Sequence, residues 1–238
     1  MQVTVDGKTV LHRPAAGWIF GLFVTVLTGA ITAGFAVLTV AFLFRREWGG
    51  GAAFLVLALW MGVLANYVWR DCQARRSWRV EIEPGELMLD LPAGRSLMET
   101  GQRVKRFLEV SDIAAIETRL EAYRSFGMAN MQRNYGLRLT SGALIVLGED
   151  RALGSGLRDE TMGRFVDTIR QKTGLPLRDL GMVEGRGGFL GVLFTSVPRW
   201  DVPSLPVARQ AMLWRRAGLT GSAVGIIVLA GLLLSAVL

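Results

Sequence analysis

The chain has one histidine, one cysteine and three lysines in 238 residues, and three long stretches of it carry no charge. Each scarcity excludes something. The lone Cys72 leaves no partner for an internal disulfide. With His12 as the only other soft ligand, one chain cannot assemble a His/Cys zinc site. A Ser-His or Cys-His nucleophilic pair would have to use His12, in the N-terminal lead. The Gly-rich pieces GSG (154–156) and GRGG (185–188) lack the Lys-Ser/Thr of a phosphate-binding loop and read as turns. Glu149 and Asp150 stand side by side, a pairing that acid–base chemistry could use but that a solvated turn also produces. No cofactor or metal is implied, and the chain is expected not to be an enzyme.

The uncharged stretches are 17–43, 51–69 and 217–238. About 20 apolar residues cross the ~30 Å hydrocarbon layer. Each run therefore reads as a transmembrane helix, the first too long for a cleaved leader. Pumps and proton relays place ionisable groups inside their spans. These runs have none, which argues against transport by this chain alone.

The charge that is present is unevenly placed. The formal net charge is +7, yet residues 80–208 sum to −1, while 70–79 and 209–216 each carry +3. A nucleic-acid surface needs its basic excess on a folded domain, so no nucleic-acid partner is expected. Arg70, Arg75, Arg76 and Arg79 follow the second run; Arg209, Arg215 and Arg216 precede the third. Arginine flanking spans marks the cytoplasmic side. The same residues could gather anionic headgroups. The expected topology has the N-terminus and the middle domain in the cytoplasm and the C-terminus outside. The Arg45-Arg46 pair in the first loop runs mildly against it. Trp18, Trp48, Trp69 and Trp214 fall at the expected interfaces. For Cys72, two readings stand: an acylated juxtamembrane thiol and an inert one. Arginine outnumbers lysine 24 to 3, a bias suggesting a GC-rich bacterial genome, and the expected location is the bacterial inner membrane.

Between the second and third runs, Trp78, Val80 and Ile82 alternate with charged residues, as in a half-buried strand. Pro84-Gly85 is a turn, and Leu87, Leu89 and Leu91 continue the alternation. Residues 104–110 read as a strand, and 112–124 as a strand with helical spacing as the alternative. Residues 126–134 read as a loop. YGLRLTSGALIVL is a hairpin about Thr140-Ser141-Gly142. Over 159–173, Met162, Phe165, Val166 and Ile169 form one apolar helical face, with Asp159 and Glu160 suiting its N-terminus and Gly174 its stop.

The order of these features resembles small bacterial membrane proteins with a pleckstrin-homology-like (PH-like) domain. The resemblance rests on VLHRP (10–14), RRSWRVEIEPGELML (75–89), VSDIAAIE (110–117), the YGLRLTSGALIVL hairpin and the 159–173 helix, and covers roughly 8–180. It implies a membrane-tethered binding or scaffold module, and phosphoinositide binding is not carried over with it. The expected fold is an α+β membrane protein: three transmembrane helices and a cytoplasmic antiparallel β domain closed by one helix. Its parts are a lead (1–16), spans 17–43 and 51–69, a PH-like domain (76–180), a linker (181–216) and a span at 217–238. Within the linker, 189–197 is apolar but would reach only ~14 Å as a helix. It either dips into the interface or packs on the β domain. The three-proline stretch after it reads as extended.

Small residues suggest how the spans associate. Gly17, Gly21, Thr25, Gly29 and Ala33 recur at every fourth position, and Gly221 and Gly225 form a GxxxG pair. They serve packing within the chain, or contact with another membrane protein or a second copy. The expected role is a scaffold, accessory subunit or assembly factor, with lipid-headgroup binding as the alternative. The expected partners are membrane lipids and a further membrane protein.

Overall fold

A computed structural model describes residues 2–5, 7–94, 96–97, 102–125, 128–153, 157–158, 160–185, 199–217 and 219. Strands β1 (Gln2–Val5) and β2 (Lys8–His12) open the chain as a hairpin. Helices α1 (Ala15–Phe44) and α2 (Trp48–Ser77) follow, joined by the tight turn at 45–47, where Arg46 takes a φ of 61°. Then come β3 (Arg79–Glu83), β4 (Glu86–Leu91), β5 (Val104–Glu109) and a 3-10 turn at Val110–Asp112. The long strands β6 (Ile113–Ser125), β7 (Met128–Leu139) and β8 (Leu144–Leu153) are followed by a two-residue β9 (Leu157–Arg158). Helix α3 (Thr161–Thr173), strand β10 (Leu177–Glu184) and a fourth helix, α4, over 207–217 complete the described chain.

The helical hairpin is built as lipid-facing helices are. Both helices are 30 residues long and apolar enough to cross a membrane. Phe20, Phe23, Val26 and Val37 on α1, and Val56 and Leu59 on α2, are each more than 60% exposed. A core helix of a water-soluble domain buries such residues. The threonines of α1 satisfy their hydroxyls within the helix: Thr28 Oγ1 donates to the Val24 carbonyl at 2.8 Å and Thr39 Oγ1 to that of Phe35 at 2.8 Å. Between the helices, Phe54 meets Phe42 and Phe35 with ring centroids 5.2 and 6.0 Å apart. The chain is therefore consistent with a membrane-associated protein. The third span expected at 217–238 lies almost wholly outside the described residues, as do Gly221, Gly225 and 189–197.

The β-rich region is two five-stranded sheets, ordered β1-β2-β3-β4-β5 and β10-β6-β7-β8-β9. One core fills the space between them. Leu11, Val80, Leu87 and Leu89 from the first sheet meet Ile116, Leu137 and Leu147 from the second, and all are at most 2% exposed. The apolar face of α3 closes this core, with Met162, Phe165, Val166 and Ile169 buried as the spacing predicts. Trp78, the first residue past α2, stacks on Phe165 at 5.0 Å, and its Nε1 donates to the Leu147 carbonyl at 2.7 Å. A smaller cluster of Ala122, Met131, Met182, Leu213 and Ala217 seats α4 on the second sheet.

This architecture corrects the PH-like expectation and the resemblance behind it. Neither sheet closes on itself. β5 leads through the 3-10 turn into β6 without joining its sheet, because the outer edge of β6 is taken by β10. That pairing is parallel, Leu177 opposite Ile116, and adds a strand where closure would need a different one. The antiparallel domain closed by one helix is thus two open sheets with two helices packed on them. Three further expectations change. The lead at 1–16 supplies two strands, with Leu11 opposite Val80. Of the segment expected as a loop at 126–134, the described part, from Met128 on, is strand β7, with Met131 2% exposed. The expected linker at 181–216 takes in the end of β10 and nearly all of α4, which begins within the stretch expected to be extended. The Gly85 and Gly142 turns are as expected, at φ values of 81° and 84°.

Candidate functional site

The functional candidates gather where the helical hairpin meets the β region. The seven flanking arginines do not form one patch there. Arg70 on α2 donates to the Ser96 carbonyl at 2.7 Å. Arg75, one α-helical turn beyond Asp71, donates Nε to its carboxylate at 3.0 Å. Arg76 lies over the Trp18 ring, 5.5 Å from its centroid. Arg79, on β3, pairs through Nη2 with Glu81 at 2.6 Å. On α4, Arg209 pairs with Glu184 at 2.9 Å, and Arg215 and Arg216 are exposed.

Arg13, between β2 and α1, belongs to the junction although its sequence position gave no sign of it. Its Nη2 donates to the Glu149 carbonyl at 3.4 Å. Glycine at 148 makes room: a Cβ there would lie 3.2 Å from Arg13 Nη2 and 2.6 Å from Met162 Cε. Arg151 completes the junction, with Nη2 2.5 Å from Asp71 Oδ1 and 2.9 Å from Glu149 Oε1. Arg13, Pro14, Gly17, Arg75 and Thr161 line a cavity of ≈ 260 Å³ where α1 begins and α2 and α3 approach. A second hollow, of ≈ 300 Å³, lies between α3 and the second sheet, with Trp214 of α4 on its rim.

The small-residue ridge divides. Gly17 and Gly21 face α2: a Cβ at Gly21 would sit 3.3 Å from that of Cys72, and one at Gly17 3.7 Å from Arg75 Nη1. Gly29 faces open space, Thr25 donates to the Gly21 carbonyl at 2.8 Å, and Ala33 is exposed. Cys72 is 4% exposed, and its thiol donates to the Trp18 carbonyl at 3.2 Å. That packing favours the inert reading over acylation.

Two polar arrangements escaped the sequence reading. Asp150 is 7% exposed, and its carboxylate accepts the N–H groups of Met162 and Gly163, each at 2.7 Å. A strand residue thus caps α3, and the Glu160 side chain makes no capping bond. The Tyr135 hydroxyl donates to the same carboxylate, and burial pushes its ionisation up. On the opposite face of the second sheet, β6 buries Glu117, Arg119 and Glu121. Glu117 Oε2 accepts from Trp200 Nε1 at 2.6 Å and pairs with Arg138 at 2.9 Å. Glu121 accepts from the Tyr123 hydroxyl at 2.6 Å, and burial pushes its pKa up. In sequence, ETRLEAY has the alternation of a solvated strand face; what covers it comes from 80 residues later.

Among the described residues, no group of three or more His, Cys, Asp or Glu side chains could hold a metal ion. No catalytic pairing is evident at the junction either, where the carboxylates are engaged by arginines. The fold defines a class: a helical hairpin of membrane-spanning length built into a two-sheet β region. No family model, curated protein or solved structure matches the chain.

Proposed function

We propose that the chain is a noncatalytic integral membrane protein serving as a scaffold, accessory subunit or assembly factor in a membrane complex. One observation carries this reading. Strand β2 enters α1 and strand β3 leaves α2, and the two strands pair with each other. A helical hairpin mounted this way holds the β region in a fixed pose at the membrane, which suits presenting a surface to a partner. The outer edges β1 and β5 and the outward half of α1 around Gly29 are the surfaces on offer. Arg70, Arg75 and Arg76, at the end of α2 beside the β region, support a cytoplasmic side for it under the rule that arginine stays inside. The N-terminal strands share that side.

The test is native mass spectrometry of the protein extracted gently from its own membrane, run on three forms. The wild type is expected to carry a protein partner in fixed ratio. Gly29→Leu with Ala33→Leu is expected to lose it, because this half of α1 is open. The substitution Lys172→Gln, at the exposed end of α3, is expected to keep it. A partner-free wild type would defeat the scaffold reading.

A second reading, headgroup binding at the membrane face, is favoured by one observation: the arginine-lined cavity at the hairpin's end.

A further inference from the structure

We infer that the end of the β6–β7 hairpin enters the headgroup layer of the membrane beside α2, giving the β region a lipid contact of its own. The inference rests on the reading that the chain is an integral membrane protein whose uncharged runs enter the bilayer. It goes beyond that reading by assigning a lipid contact to a segment that is no part of a span.

Two contacts give the direction in which the second sheet runs. Trp78 Nε1, just past the end of α2, donates to the Leu147 carbonyl of β8 at 2.7 Å. Four residues further along β8, Arg151 pairs with Asp71 of α2 at 2.5 Å. Between these points the strand covers about 13 Å and the helix about 10 Å. Ala74, Leu147 and Glu149 line the hollow between the two elements, so they lie side by side. β8 therefore climbs towards the membrane where α2 leaves it: Asp71 is two residues past Trp69, the last residue of the second uncharged run. In β7, Gln132 is opposite Arg151. β7 begins at Met128, four residues beyond Gln132, and Met128 pairs with Ser125 of β6. Those four residues carry the hairpin about 13 Å further the same way. The headgroup region is about 5–8 Å deep on each side of the hydrocarbon.

A separate contact puts the same end of the sheet at the same level. Ala217, the first residue of the third uncharged run, is buried in one cluster with Ala122 of β6, Met131 of β7 and Leu213. Ala122 is opposite Met131, and Met131 is opposite Ala152, the neighbour of Arg151. One row across the second sheet is thus tied near the end of one uncharged run through Asp71 and at the start of another through Ala217. Among the described strands, β10 stops at this row, opposite Ala122, and β8 goes one residue past it, opposite Asn130. The β6–β7 pair goes on to Ser125 and Met128. Its root is held: the Gly185 N–H donates to the Ala122 carbonyl at 2.8 Å, and Ala122 and Met131 are at most 3% exposed. The approach to the lipid is therefore set by the fold and is not left to the moment of contact.

The composition suits that depth. From Ala122 to Gln132 the sequence carries one charge, Arg124, and it includes Phe126, Met128 and Met131. The turn at 126–127 lies outside the described residues; the strand pairing on either side of it sets the course of the hairpin. Arg124 is one residue from the end of β6. A long basic side chain at this level keeps its charge among the phosphates while its stem lies against apolar groups. The other end of β7 differs. There Arg138 pairs with Glu117 and with the exposed Asp201, beside the Ser141-Gly142 turn. Depth has a limit as well. Past Ala122 and Asn130 no described strand flanks the hairpin. Unpaired strand edges are not tolerated in hydrocarbon, so the hairpin ends among the headgroups, where water and phosphate satisfy its backbone.

The experiment uses the full wild-type chain in phosphatidylcholine vesicles containing a trace of phosphatidylcholine with a photoreactive group near the glycerol end of one acyl chain. After illumination, tryptic peptides are read by mass spectrometry. Cleavage after Arg124 and Arg133 releases 125–133, the hairpin end; cleavage after Arg138 and Arg151 releases 139–151, which carries the opposite turn. Lipid is expected on 125–133 and on the α1 and α2 peptides, and not on 139–151. Lipid on α1 and α2 but not on 125–133 sinks the hairpin contact alone, and equal labelling of 125–133 and 139–151 overturns it too. No lipid on α1 and α2, with release of the protein by alkaline carbonate, sinks the spanning reading itself. A second measurement reads the depth. Met128→Cys and Ser141→Cys, each with Cys72→Ala, carry an environment-sensitive fluorophore. The label at 128 is expected to shift to the blue and to lose quenching by aqueous iodide, while the label at 141 stays quenched. Matching emission and quenching at the two positions would overturn the assignment.

Discussion

Removing the Asp150 carboxylate should detach the start of α3 from the second sheet. Asp150 is on β8, 12 residues before Met162, and is nearly inaccessible to water. It accepts two backbone N–H groups at 2.7 Å and the Tyr135 hydroxyl. Losing a helix cap costs about 0.5–2 kcal/mol. A hydrogen bond to a charged group contributes about 1.5–3 kcal/mol. Asp150→Asn retains one acceptor oxygen but loses the charge, so a loss of about 1–2 kcal/mol follows. Asp150→Ala orphans both N–H groups and should lose about 2–4 kcal/mol. The assay is urea unfolding in mild detergent, followed by tryptophan emission; Trp78 reports directly because it stacks on Phe165 of α3. With a urea slope of about 2 kcal/mol/M, the midpoints should fall by about 0.5–1 M and 1–2 M. Glu160→Gln is the control. Glu160 is exposed and makes no side-chain cap bond, so its midpoint should move by less than about 0.25 M. If Asp150→Ala behaved like Glu160→Gln, the cross-strand cap would contribute nothing and the reasoning would be wrong.

Three further outcomes follow from named contacts. Burial raises the Glu121 pKa above its usual 4.5, so its contribution to stability is full below that value and is lost as pH rises through the folded-state pKa. Glu121→Gln should flatten this slope and raise neutral-pH stability relative to the wild type; an unchanged pH profile of unfolding would refute it. Gly148→Ala should destabilise the β region by about 1–3 kcal/mol, since a Cβ would strike Met162 and the φ of 147° disfavours L side chains; thermal unfolding checks this. Gly21→Leu should disrupt the α1–α2 pair through Cys72, whereas Gly29→Leu should leave it intact. Disulfide trapping of engineered cysteines across the pair would distinguish them, and equal effects would refute the division of the ridge.

Local signals carried much of the fold. The two apolar runs became α1 and α2, and the alternation at 78–91 became β3 and β4 around the Gly85 turn. The spacing at Met162, Phe165, Val166 and Ile169 marked the buried face of α3. What local reading could not supply was pairing between distant segments. β10 lies parallel to β6, more than 50 residues away, and nothing in its own pattern names that neighbour. The closed PH-like arrangement failed at that edge. The 126–134 segment lacks an apolar period because, in the part of β7 that is described, burial falls on both faces, at Met131 on one and at the polar Asn134 on the other. Of the site, the arginines of α2 were legible from their position after an apolar run. Arg13 was not, because the β2–β3 ladder brings it there.

That ladder also constrains the order in which the protein is made. Thr9–His12 can pair with Arg79–Ile82 only after the 66 residues between them have been placed. Alone, β1 and β2 are a two-stranded hairpin, which is marginal in water. They must wait, and the waiting ends only when α1 and α2 have come to lie side by side with their free ends together. Completion of the first sheet is then a record of correct closure of the helical hairpin. A chain whose second helix failed to return would present β2 and β3 far apart, with Leu11, Val80 and Ile82 uncovered, a state that quality-control proteases recognise by exposed apolar sequence. Closure of the helical hairpin and β-sheet folding are, in this chain, one event scored at a single four-residue register.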